Sequence, residues 1–120
     1  MQIRLALGQH SATATLADNP TARDFASLLP MAVEMTDLGG LEKPGKLPRA
    51  LDEGGQPVFT YEVGQIGYWS PGEDLAIVYA VEGSRSIPRP GLVPLGTVES
   101  GLEVIAEAGD AFRLRIERVD

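Results

Sequence analysis

Two runs at opposite ends of the chain alternate apolar and polar side chains with the period of a strand that buries one face. Ile3, Leu5 and Leu7 are interleaved with Gln2, Arg4 and Ala6, and Phe112, Leu114 and Ile116 with Arg113, Arg115 and Glu117. The last run is long enough to pair with the first and close a sheet. Gly8-Gln9-His10 interrupts the first run, and the threonine-rich segment Ala12 to Leu16 then favours extended structure, so the chain is expected to open with a hairpin.

Between these ends the period changes twice. Asp18-Asn19-Pro20-Thr21 starts a helix: Asn19 or Thr21 can accept from a free backbone N–H, and Pro20 has none to satisfy. Thr21 with Asp24 resembles a capping box. Ala22, Phe25, Ala26 and Leu29 form a single apolar stripe suited to sealing one end of a sheet or barrel, and Pro30 stops it. Met31, Val33 and Met35 restore the strand period up to about Leu38.

Gly39-Gly40, Pro44-Gly45, Pro48 and Gly54-Gly55 then predict a stretch that is mainly loop, with a short strand around Leu47 to Leu51. Val58 to Tyr61, Ile66 to Trp69 and Leu75 to Val81 read as strands. The last is apolar on both faces and predicts a wall packed inside by the core and outside by a helix or loop. After a Pro-rich segment from Ile87 to Pro94, Leu95 to Val98 is a short strand, and Ser100-Gly101-Leu102-Glu103 reads as a capping box opening a short helix through Ala106.

At 120 residues and 43% hydrophobic, the chain supports one continuous core and one domain spanning residues 1–120. A net charge of −7 argues against nucleic acid and anionic lipid as partners. The nearest approach to a basic cluster, Arg113, Arg115 and Arg118, lies on a strand whose outward face explains it. Without cysteine there is no disulfide, thiolate site or thiol chemistry, and with one histidine, His10 in a turn, no metal site or other cofactor is predicted. The N-terminal run is too short for a signal-peptide core and no apolar run approaches about 18 residues, so a cytoplasmic location with no membrane span is expected.

The order strand, strand, capped helix, several strands, short helix, last strand resembles that of cyclophilins, and two blocks of residues carry the likeness. One is Ala14 to Asp18 followed by Pro20, Thr21, Ala22 and Phe25. The other is Leu75 to Ala80 with Val93 to Ile105. More closely, Asn19-Pro20-Thr21-Ala22-x-x-Phe25, Leu47-Pro48-Arg49 and Pro94-Leu95-Gly96 resemble the compact prokaryotic cyclophilin-like domains, over about Met1 to Val119. The resemblance implies a mainly β fold, a closed barrel of about eight strands with one helix in the N-terminal half and one short helix in the C-terminal half.

The same comparison thins the isomerase chemistry. Arg49 occupies roughly the interval of the cyclophilin arginine without the Phe-His pair before it, and Leu75-Ala76-Ile77 stands where a Gln-Phe-Phe run would. Arg49 is the one catalytic candidate, as a donor to a twisted prolyl amide; the competing role is a loop pin, for example to Asp52 or Glu53. Tyr61, Tyr68, Trp69 and Tyr79 hold four of seven aromatic residues and form either a ligand-binding wall or cross-strand packing. Pro88 and Arg89, in the cationic segment Ser84 to Gly91, belong to either a contact loop or a rigid connection.

Three functions follow: a non-catalytic binding module for a peptide or small ligand, a weak peptidyl-prolyl isomerase using Arg49, or a domain that associates with itself or a partner protein. The first places its ligand on a face bordered by Arg49, Tyr68, Trp69 and the Ile87 to Pro94 loop.

Overall fold

The computed structural model describes residues 1–119. Eight strands and two helices follow in the order β1 (Gln2–Leu7), β2 (His10–Leu16), α1 (Pro20–Ser27), β3 (Met31–Thr36), β4 (Glu42–Lys46), β5 (Gln65–Trp69), β6 (Asp74–Val78), β7 (Val93–Ser100), α2 (Leu102–Ala106) and β8 (Ala111–Val119). All strand pairs are antiparallel and the sheet closes on itself as β1-β2-β7-β5-β6-β4-β3-β8. Closure is made by the two alternating runs at the chain's ends, Gln2 opposite Val119 and Leu5 opposite Ile116. Full closure leaves no long unpaired edge.

Alternation decides what fills the interior. Ile3, Leu5, Ala12, Ala14, Val33, Met35, Ile66, Tyr68, Leu75, Ile77, Leu95, Leu114 and Ile116 point inward and are buried in one cluster. The outward row on β8 and its neighbours is charged, with ion pairs Arg4–Glu117, Arg115–Glu117 and Arg113–Glu34.

The helices plug opposite ends, since α1 lies between the end of β2 and the start of β3, and α2 between the end of β7 and the start of β8. Asn19 caps α1 by accepting from the Ala22 N–H at 2.8 Å, and Phe25 is fully buried beneath it. Thr21 plays no capping part: its hydroxyl donates to Asp52 O at 2.6 Å and accepts from the Gly54 and Gly55 N–H groups. The capping box expected at Ser100 is not formed either. Gly101 occupies the N-cap in left-handed backbone, φ 80°, and the Ser100 hydroxyl pairs with that of Thr13 at 2.6 Å.

Three strand assignments change, the simplest being that Leu47 to Leu51 forms no strand. The segment with Pro44-Gly45 is strand β4, which pairs along its length with β6 but meets β3 only at Met35 opposite Gly45. Pro44, lacking an N–H, is tolerated beside so thin a seam. Inside it, Gly45 leaves its space to the side chains of Met35 and Val33. Conversely, Val58 to Tyr61 is no strand of the barrel. It runs over the outside of the wall, joined to the chain after β6 by single bridges at Val58–Leu92 and Thr60–Ser86.

Candidate functional site

The outer face of β3, β4, β6 and β5 is where the fold leaves room. Alternation turns Glu34 and Thr36 of β3, Glu42, Pro44 and Lys46 of β4, Asp74 and Ala76 of β6, and Trp69 of β5 away from the core. Over this face lies a flap made of residues 57–64 and 79–92. The Ile87 N–H donates to Phe59 O at 2.8 Å, and Val58 and Leu92 exchange backbone bonds of 2.8 and 3.0 Å. Ile87 and Leu92 bury themselves against Ala76, with Val58, Tyr61 and Trp69 around them. Leu92 rests on Gly67, where any Cβ would collide with it.

Between flap and wall remains a groove of about 580 Å³, within the range of small-ligand sites. Pro44, Gly45, Ala76 and Thr36 line it on the barrel side and Ile87, Pro88 and Leu92 on the flap side, with the rings of Tyr61 and Trp69. Five charged side chains reach it: Glu34, Glu42, Asp74, Lys46 and Arg85.

These charges differ in how they are held. Glu34 pairs with Arg113 at 3.2 Å. Lys46, largely exposed, donates to Gly72 O at 3.1 Å and lies 4.0 Å from Glu73. Arg85 is exposed, with its guanidinium 5.5 Å from the centroid of the Tyr61 ring. Glu42 and Asp74 are half-buried and, among the described residues, neither carboxylate has a hydrogen bond or an ion pair. Burial raises the pKa of both, offset at Glu42 by Arg85 and at Asp74 by Lys46. Among the described residues no group of three His, Cys, Asp or Glu is placed to hold a metal ion.

The aromatic residues are divided by the pleat. Tyr61 and Trp69 line the groove with Pro88. Tyr68, one position from Trp69, faces the core at 2% exposure, and its hydroxyl accepts from the Leu51 N–H at 3.1 Å. Tyr79 sits beside the buried Lys43: its hydroxyl donates to Asp37 at 2.5 Å, and Lys43 Nζ bonds Asp37 at 3.0 Å and Gly109 O at 2.7 Å. The bond to Asp37 pushes the Tyr79 pKa up to about 12, and the Tyr79 hydroxyl and Lys43 together lower that of Asp37. Arg89 is exposed and outside the groove lining.

Arg49 stands apart from all of them. Its guanidinium grips Asp24 of α1 through two bonds of 2.8 and 2.9 Å and donates to Ala50 O at 3.0 Å. Asp24 also accepts from the Asp52 N–H at 2.8 Å, and the Arg49 bonds hold its carboxyl far below the usual range. The partner is Asp24, not the nearby Asp52 or Glu53 carboxylates that sequence proximity suggested.

Glu42, Pro44, Lys46, Asp74, Ala76, Arg85 and Leu92 of the groove were not singled out from sequence. The wall members among them are outward positions of β4 and β6, and once β4 is recognised as a strand, alternation finds them.

The family model described as the cyclophilin-like family matches residues 5–117. No curated protein matches the sequence. Among solved structures, the solution structure of a hypothetical protein from Archaeoglobus fulgidus superposes with a TM-score of 0.78 at 18% identity, over 99% of this chain and 95% of that one. McbB in complex with tryptophan superposes with a TM-score of 0.72 at 16% identity, over 97% of this chain and 44% of McbB. Among the described residues no helix is long and apolar enough to cross a membrane.

Proposed function

Since the chain belongs to the cyclophilin-like family, we propose that it is a binding module built on that family's barrel, with the groove under the flap as the site of a small ligand. The observation that carries this reading is the groove itself: an apolar, ring-bearing cleft of about 580 Å³ with charged groups converging on it. McbB, 44% of whose length superposes on this chain, was solved in complex with tryptophan, a small ring-bearing molecule of the size the groove would take. Arg49 lies outside this groove, with its guanidinium bonded to Asp24 and Ala50 O, and is given no part in it.

Trp69 is the chain's one tryptophan, so its emission reports on the groove directly. A ligand bound there adds about 2.7 kcal/mol of stability at a hundredfold excess over its Kd, which raises the melting temperature, and shifts Trp69 emission over the same concentration range. Stabilising ligands that leave both Trp69 emission and the amide resonances of β4 and β6 unchanged would place binding elsewhere and overturn the reading.

A further inference from the structure

We infer that the groove takes an organic cation: one ammonium or guanidinium group carried on an apolar body, received by the carboxylate of Glu42 or of Asp74. This rests on the groove being the binding site. The charged groups lining it are not equivalent. Its two cations, Lys46 and Arg85, are exposed at the rim, where water solvates them, and Lys46 is further engaged by Gly72 O. Its two half-buried charges are both carboxylates, and neither has a partner among the described residues. A carboxylate partly shielded from water that forms no hydrogen bond or ion pair of its own is stabilised by an entering cation, whereas an entering anion is repelled by it.

The apolar part of the lining supplies the rest of the recognition. The faces of Tyr61 and Trp69 attract a cation as well as an apolar ring, and Arg85 over Tyr61 already shows one such contact. The groove's length fits a compact ligand. Glu42 lies opposite Val78 on the adjoining strand β6, four residues beyond Asp74, so the two carboxylate-bearing positions are about 13 Å apart along the strands at ~3.3 Å per residue. A single cation therefore engages one carboxylate at a time, with its apolar body lying along Pro44 and Ala76 between them.

The test uses three probes of one shape and different charge: 4-phenylbutylamine, 4-phenylbutanol and 4-phenylbutyrate, titrated by calorimetry and by Trp69 emission. The amine is expected to bind about tenfold more tightly than the alcohol, and the carboxylate more weakly than either. Glu42→Gln and Asp74→Asn together should bring the amine down to the affinity of the alcohol while leaving the alcohol's affinity and the melting temperature close to those of the parent. Equal binding of amine and alcohol, or tighter binding of the carboxylate, overturns the cation assignment and leaves the groove standing as a site. Binding of all three that ignores both Trp69 and the double substitution overturns the groove as well.

Discussion

Two long excursions leave this barrel, and they are held in opposite ways. The segment of residues 47–57 is fastened by polar bonds at every turn: Arg49 to Asp24, Asp52 N–H to Asp24, Thr21 to Asp52, Gly54 and Gly55, and Leu51 N–H to the buried Tyr68 hydroxyl. The flap of residues 57–64 and 79–92 is fastened at its ends by Gly64 and Tyr79, but its middle is held by two isolated bridges and a small apolar cluster. The first excursion ties its one cation, Arg49, and its backbone to Asp24 and Thr21 of α1 and becomes part of the barrel's plug. The second lies over a wall whose half-buried carboxylates, Glu42 and Asp74, form no hydrogen bond or ion pair among the described residues.

The adjacent residues Tyr68 and Trp69 anchor the two excursions and give the sharpest way to separate them. Tyr68→Ala empties a large volume in the core and removes the acceptor for Leu51, and is expected to cost about 4 kcal/mol in urea unfolding. Tyr68→Phe, which keeps the ring and leaves the buried Leu51 N–H unpaired, should cost about 1–2 kcal/mol. If Tyr68→Ala costs no more than Trp69→Ala, the distinction between a structural and a binding face fails.

Gly67→Ala comes next. The added methyl meets Leu92, and overpacking of this kind costs about 1–3 kcal/mol, here relieved by lifting the flap. Limited proteolysis should cut within residues 79–92 faster than in the parent, while amide exchange of β1 and β8 is unchanged. Cleavage inside residues 47–57 instead would reverse the ranking of the two excursions.

Asp24→Asn tests the polar fastening. The Asp24 carboxyl titrates well below its unfolded value of about 3.9, because the Arg49 bonds and the Asp52 N–H favour its charged form. Its contribution is thus complete above that unfolded value and is lost as pH falls below it toward the folded one. At neutral pH the substitution should lower the melting temperature by on the order of 5 °C, and it should flatten the fall of stability between about pH 4 and pH 2 relative to the parent. A parent and variant with parallel acid profiles would show that Asp24 is not held as described.

Trp69→Ala, which removes a partly buried ring packed on Ile87 and Leu92, is expected to cost about 2 kcal/mol, well below Tyr68→Ala. Its effect on ligand affinity, read by calorimetry, should exceed that of any substitution in residues 47–57.

Much of this was legible in the order of residues. The alternation of Ile3, Leu5 and Leu7 and of Phe112, Leu114 and Ile116 found the closing pair, and Asn19-Pro20 found the helix that plugs one end. β4 was hidden because Pro44 and Gly45 are ordinarily turn residues. They serve in a strand here only because the seam to β3 is a single bridge and the Met35 side chain takes the space a Cβ would need. Val58 to Tyr61 misled in the other sense, since β-branched and aromatic residues suit an apolar layer over a wall as well as a strand within it.

The site was half legible. Clustering of rings between Tyr61 and Tyr79 marked the region, but which rings face outward depends on register. A one-residue step sends Tyr68 and Trp69 to opposite sides. The bond between Arg49 and Asp24 is a long-range contact that no local pattern encodes.

The pairing of Gln2 with Val119 has a consequence for biosynthesis. A ribosome releases β1 long before β8 exists, so the nascent chain carries one strand whose second neighbour is the last to be made. Arg4 and the polar residues alternating along that waiting edge keep it from recruiting a stranger in the interval.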